Sequence, residues 1–446
     1  MPGKVILVRM RAFRKDRVIS YENGESLRTG NLFLVFCVWT FVLLCRPQDL
    51  FPALNPLRPS LITGILTLSL VLLRLRELRK RRLFEEQQVQ LYTALILVMI
   101  MGIPFSLYRG LSFQIVFTDY INVILFFFIF FKVVDSVTKV EKILLIACLG
   151  NGLYSAFALA TQDLRSGRLY FGSMFDPNDL AFFAVSFLPL NLLFISRGRP
   201  KWVRMACLGS FAAGLLLIII SASRGGLLAL VAVGALLLFS KSQVMSSKAK
   251  IVFSVFCLAT LVTAPINIER YKTILEFKED YNVWDETGRI EIWKIGMRAM
   301  LENPLTGTGV GTFSEAVGRD RDRRKTEVRT WQAPHNMAVQ IGTETGMIGL
   351  VLFLLMSLNV LRIFGKVHAR SASQGLIRIS EMGRAGFFGL FVAGMFLSQA
   401  YSFYWPFYVV LSAAVSRVYL KEKKTLLPRP RKEIKRLPRQ IPLTPQ

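Results

Sequence analysis

Residues 203–240 read VRMACLGSFAAGLLLIIISASRGGLLALVAVGALLLFS. Two apolar runs, 203–222 and 225–240, are parted by one short polar turn, SASRGG. A helix needs about 20 apolar residues to cross the roughly 30 Å hydrocarbon layer of a bilayer. In lipid every backbone amide must bond internally, so such runs fold as helices. The stretch therefore reads as a helical hairpin in a membrane, with one arginine at its bend.

The same signal recurs along the 446 residues, of which 53% are hydrophobic, with a mean hydropathy of +0.44. Twelve spans are expected near 31–45, 60–76, 89–108, 112–133, 141–161, 179–196, 203–222, 225–240, 250–267, 335–361, 385–401 and 403–419. Alternating segments of about ten residues, the mark of a transmembrane barrel, are absent. The fold class predicted is all-α, a polytopic transmembrane helical bundle.

A net charge of +27 invites a nucleic-acid partner, but the distribution argues for none. With the N-terminus inside, the cytoplasmic segments are 1–30, 74–82, 132–142, 197–204, 241–250, 362–384 and 417–446, and they hold most of the 56 lysines and arginines. Short outer loops carry few cations, and the long segment 268–333 balances its cations with acids. This is the positive-inside pattern, so both termini are expected in the cytoplasm. The organisation predicted is a basic N-terminus (1–30), spans one to nine (31–267), an outer loop (268–334), spans ten to twelve (335–419) and a basic tail (420–446). The Pro-rich tail and RELRKRR at 76–82 read as topology anchors, with anionic headgroups as an added contact. Five cysteines lie in or at the ends of apolar runs without metal-ligand spacing, so they read as small apolar residues. No cleavable leader is expected, since the first apolar run reads as a span.

Within the outer loop, Ile290, Trp293, Met297, Met300 and Leu301 recur at helical spacing. They predict a helix on the membrane surface or capping the bundle. Asp285 and Thr287 offer N-cap oxygens, Arg289 falls in the first turn, and Asn303-Pro304 stops the helix. TGTGVGTF at 306–313 reads as a turn or as a backbone nest for phosphate. It is no dinucleotide fingerprint, because no strand precedes it. RDRDRRK at 319–325 contains Asp320 and Asp322, but surrounding arginines are expected to neutralise them, so no metal is expected.

The histidines are His335 and His368. His335 follows Pro334, which places it in a helix's first turn, where the dipole favours a neutral ring and an anion nearby. Arg224 either snorkels to the interface or offers its planar fork to phosphate, and Gly225 and Gly226 would admit a ligand close to the backbone. Trp331 reads as a sugar-stacking ring or as part of the interfacial aromatic belt. Arg46, Arg168, Asn178 and Asn336 are further candidates for acceptor or sugar contacts, and Asp176-Pro177-Asn178 also reads as a helix cap. Gly346 and Gly349 read as helix-packing residues.

SASRGG after a span, GRIEIWKIGMRAMLENPLTGTGVGTF at 288–313 and PHNMAVQIGTETGMIG at 334–349 together resemble the O-antigen ligase and polymerase superfamily. RPQD at 46–49 and DPND at 176–179 add support. The resemblance implies a GT-C-like glycosyltransferase of the bacterial inner membrane that works without metal or cofactor. It implies a donor glycan on undecaprenyl diphosphate and an acceptor on lipid A-core, protein or polysaccharide, met at the periplasmic face. Its essential positions fall on Arg224, Arg289 and His335. The arginines would hold the diphosphate, and the histidine would orient or deprotonate the acceptor, with inversion at the anomeric carbon. A repeat-unit polymerase is the nearest alternative. A lipid-linked sugar transporter is more distant, since such a protein should bury charges deep in its spans and few are evident beyond Asp119.

Overall fold

The computed structural model describes residues 30–78, 82–161, 163–165, 167–172, 176–195, 198–251, 254–255, 257, 287–326 and 330–426. Among these the chain is almost wholly helical. The principal helices are α1 (Gly30–Cys45), α2 (Pro59–Leu73), α3 (Gln87–Gly102), α4 (Arg109–Val133), α5 (Val137–Thr161), α6 (Pro177–Ile195), α7 (Lys201–Ile220), α8 (Arg224–Phe239), α9 (Arg289–Glu302), α10 (Phe313–Arg324), α11 (Met337–Arg370), α12 (Gln374–Gly394) and α13 (Tyr404–Leu426). One antiparallel pair, β1 (Leu164–Arg165) and β2 (Arg168–Leu169), is the only sheet among the described residues.

Seven of the described helices are long and apolar enough to cross a membrane, and α1 and α8 are shorter apolar helices. The ninth predicted span, 250–267, lies largely outside the described residues, as do Asp285, most of the predicted basic N-terminus and most of the tail. The bundle has an interior even without lipid. Tyr404 packs its ring against Phe182, Phe183 and Phe187 of α6. Where α5 meets α7, a Cβ on Gly152 would stand 2.2 Å from Ser210 Oγ, so only glycine lets the two backbones come that close.

Three predicted boundaries move. The predicted inner segment 362–384 is mostly helix, because α11 runs to Arg370 and α12 starts at Gln374 after a cap in which Ser373 Oγ accepts the Leu376 N–H. The charges of that segment end the apolar signal but not the helices, which extend past it. Conversely, 395–401 is expected within the eleventh span, yet 395–403 forms a non-helical link between α12 and α13. Its polar groups are occupied by neighbours: Gln399 Nε2 donates to Asp179 Oδ1 at 2.8 Å, and the Ala400 N–H donates to Gln340 Oε1 at 3.2 Å.

The apolar stripe predicted for the loop helix is also corrected. α9 buries Ile292, Ile295, Gly296 and Ala299, and its small core includes Phe313 and Val317 of α10. Met297 and Leu301 remain 47% and 63% exposed. The helix therefore carries a broad apolar arc, and the stripe read from periodicity lies at its edge, with Trp293 and Met300 partly covered and Met297 and Leu301 exposed. A helix with one apolar side on a bundle and another uncovered suits a membrane interface.

Candidate active site

Arg224 is the first residue of α8, behind the cap that Ser223 makes by accepting the Gly226 N–H at 3.2 Å. Ala222, just before it, takes a left-handed φ of 51°, which sharpens the bend. The two glycines that follow serve packing rather than a ligand. A Cβ on Gly226 would lie 2.4 Å from Ala181 Cβ, and one on Gly225 would lie 2.8 Å from Phe396 Cβ. The start of α8 is thereby pressed between the first turn of α6 and the link 395–403.

The start of α6 is built by Asp176, whose Oδ1 accepts the N–H groups of Asn178 and Asp179 at 2.7 and 2.8 Å. Asp179 answers with its own carboxylate, completing a capping box. Asn178 Nδ2 donates to Asp176 Oδ2 at 3.2 Å, and Asn178 Oδ1 accepts from Arg168 at 2.9 Å. Arg168, on β2, also donates to the Ser221 carbonyl at 3.4 Å, three residues before Arg224. Arg168 and Asn178 are thus bonded to one another, and they tie the β pair to both helix starts.

His335 departs from the sequence expectation. It is not in the first turn of α11: Asn336 is the N-cap, its Oδ1 accepting the N–H groups of Ala338 and Val339 at 3.0 and 3.1 Å. That oxygen of Asn336 is committed to the cap. His335 precedes it with a left-handed φ of 46°, an uncommon conformation for a residue with a Cβ. Its N–H donates to Ser398 Oγ at 2.9 Å, and the Pro334 carbonyl accepts from Trp293 Nε1 at 2.8 Å. The ring is held neutral, but burial is the main cause, followed by the positive charge of Arg289. Both lower the imidazole below the ordinary histidine value, and Asp176 opposes them.

Arg289 is the first residue of α9, after Gly288. The aspartates of the loop lie elsewhere. Asp320 is buried and pairs with Arg298 at 3.1 Å and Arg324 at 2.8 Å, while Arg323 stands 3.8 Å away. Its carboxylate cross-links α9 to α10. Arg321 on the same helix bonds Thr330 and donates to Gln332 Oε1 at 2.8 Å, while Gln332 Nε2 donates to the Thr287 carbonyl at 3.1 Å. Trp331 lies over Gly318 of α10 and stays 63% exposed. Arg46, also left-handed at a φ of 46°, is taken up by Asp49 at 2.5 Å, beside Tyr154 and Tyr404.

The glycine-rich turn is a nest, but it holds a carboxylate of the protein itself. Gly307, Gly309 and Gly311 all have left-handed φ. The N–H groups of Gly311 and Phe313 donate to the two oxygens of Glu344 at 2.8 and 3.2 Å. Glu344 lies within α11, two residues before a break at Gly346 (φ 73°, ψ −173°). Gly346 therefore does more than pack: a Cβ there would stand 2.6 Å from the Pro304 carbonyl oxygen. Sequence reasoning missed Glu344, although an acid inside an apolar span was a visible signal.

The start of α8 thus packs on α6 and the link 395–403, His335 bonds the same link, and Arg289 acts on the charge of His335 from the start of α9. Such a place can hold an anion on two guanidinium forks and accept a proton at one neutral imidazole. Arg46 is taken up by Asp49, and Trp331 stands exposed beside α10.

No curated protein matches this chain. A family model described as O-Antigen ligase matches residues 208–354. The match covers most of α7, all of α8, the whole of α9 and α10 and the first half of α11, with Arg224, Arg289 and His335 inside it. Over this segment, less than half of the chain, the protein is similar to the O-antigen ligase family.

Proposed function

We propose that this chain transfers a preassembled glycan from undecaprenyl diphosphate to an acceptor hydroxyl or amide, at the periplasmic face of a bacterial inner membrane. The observation that supports the reading is that the helix start bearing Arg224 packs on the link 395–403, the same link that binds His335, on whose charge Arg289 acts. Arg224 and Arg289 hold the donor diphosphate and stabilise its growing charge as the glycosidic bond breaks. This is the part a divalent ion plays elsewhere. His335, kept neutral by burial and by Arg289, takes the acceptor proton as the oxygen or nitrogen attacks the anomeric carbon. The diphosphate leaves from the opposite side, so the carbon inverts. Trp331, being exposed, is available to stack on a sugar.

The test is a transfer assay in liposomes with lipid-diphosphate-linked glycan and candidate acceptors. General-base catalysis is typically worth about 10²–10⁴ in rate. Arg224→Ala, Arg289→Ala and His335→Ala should therefore each lower transfer at least about 100-fold at normal protein levels. Near-normal transfer by all three would sink the proposal. Deletion separates a ligase, whose loss leaves long lipid-linked chains unattached, from a polymerase, whose loss leaves single units.

A further inference from the structure

We propose that Glu344 is a positioning residue: by holding the glycine turn against the break in α11, it sets where Arg289 stands relative to His335. The geometry begins with α9 and the first turns of α11, which run parallel. At one end Trp293 bonds the Pro334 carbonyl. Midway, a Cβ on Gly296 would lie 2.7 Å from Thr343 Oγ1, and Gly342 faces Met300. At the other end the Met347 N–H donates to the Pro304 carbonyl at 2.7 Å. With 14 residues, α9 spans about 20 Å, so Arg289 and Glu344 mark opposite ends of one helical pair.

The end away from Arg289 is the tightly fastened one. The Thr308 N–H donates to the Thr343 carbonyl at 2.9 Å, and the Gly309 N–H donates to the Glu344 carbonyl at 3.0 Å. The Glu344 carboxylate adds the bonds from Gly311 and Phe313 and is itself 1% exposed. The Tyr401 hydroxyl lies beside it, and Glu315 is the other acid close by. Tyr401 belongs to the link 395–403, whose Ser398 receives the His335 N–H. One carboxylate therefore touches both supports of the candidate site, the turn that continues α9 and the link that seats His335. A buried charge without such partners would be strongly unfavourable. Removing half of its acceptors frees the turn, and α9 with it, to slide along α11.

The ionic state of His335 reports that movement, because Arg289 faces it from α9 and Asp176 faces it from the start of α6. The sequence has two histidines, His335 and His368, so two imidazole signals need assigning. The full chain, with isotope-labelled histidine, is reconstituted in nanodiscs, and the imidazole signals are followed against pH. In Glu344→Gln, His335 is expected to titrate at higher pH than in the wild type, since Arg289 has withdrawn. Gly311→Ala attacks the same hydrogen bond from the turn, and it should displace His335 in the same direction with Glu344 intact. It decides the matter if Glu344→Gln does not fold. Arg289→Gln should raise the His335 titration by itself, and adding Glu344→Gln should then change nothing more.

Transfer should fall about 10- to 100-fold in Glu344→Gln, the scale expected of misplaced catalytic groups. This arm alone rests on the functional reading above. Folded variants in which His335 titrates as in the wild type overturn the proposal. A displaced titration with wild-type transfer upholds the positioning and overturns the role of His335 as the base.

Discussion

His335 shows how one residue draws its chemistry from three elements. Its backbone is strained, its N–H is bound by Ser398, and its ring stands between the charges of Arg289 and Asp176. An imidazole that acts as a base works above its pKa, so transfer should decline on the acid side below the ordinary histidine range. Arg289→Gln removes a positive charge that disfavours imidazolium, so any residual activity should lose its acid limb at higher pH. Asp176→Asn removes a negative charge that favours imidazolium, so the limb should move to lower pH. Asparagine also caps helices well, which keeps α6 intact. Rate profiles against pH check both signs, and two shifts in one direction would contradict this electrostatic account. At Arg224 the fork matters as well as the charge, so Arg224→Lys should be nearly as inactive as Arg224→Ala.

At the scale of elements, Gly346 and the cluster around Asp320 make separate predictions. Gly346 has a φ of 73° and faces the Pro304 carbonyl, so alanine meets both strain and a clash. Gly346→Ala should cost about 1–3 kcal/mol, seen as a lower thermal midpoint in detergent. Asp320 is engaged by arginines on α9 and α10, an arrangement in which the carboxylate orders the loop. Excess chelator should leave transfer unchanged, and a loss reversed by a divalent ion would make Asp320 and Asp322 ligands after all. Much at this scale was legible in the sequence. The cap at Asp176 and the stop at Asn303 follow from local hydrogen-bonding chemistry. The facing of α9 was not legible, because a broad apolar arc fits two orientations and only a partner helix chooses between them. The nest at 307–311 was legible as a shape but not in its occupant, since Glu344 lies 33 residues from Gly311.

For the whole molecule, the charge pattern predicts both termini in the cytoplasm and the loop of α9 and α10 outside. A reporter joined after residue 426 should read as cytoplasmic, and one inserted within 303–313 as periplasmic. The opposite pair of readings would overturn the orientation. The sequence by itself determined that the chain is a helical membrane bundle, because the length and apolarity of each run are local properties. It also singled out Arg224, Arg289 and His335, since each sits where an apolar run or an amphipathic segment begins. Tertiary structure alone decided that the start of α8 and His335 share the link 395–403 and that Arg289 acts on the charge of His335. It also decided that burial and Arg289, rather than a helix terminus, keep His335 neutral, and that the glycine nest is filled from within. Those outcomes depend on contacts between segments far apart in the chain, and no local pattern encodes such contacts.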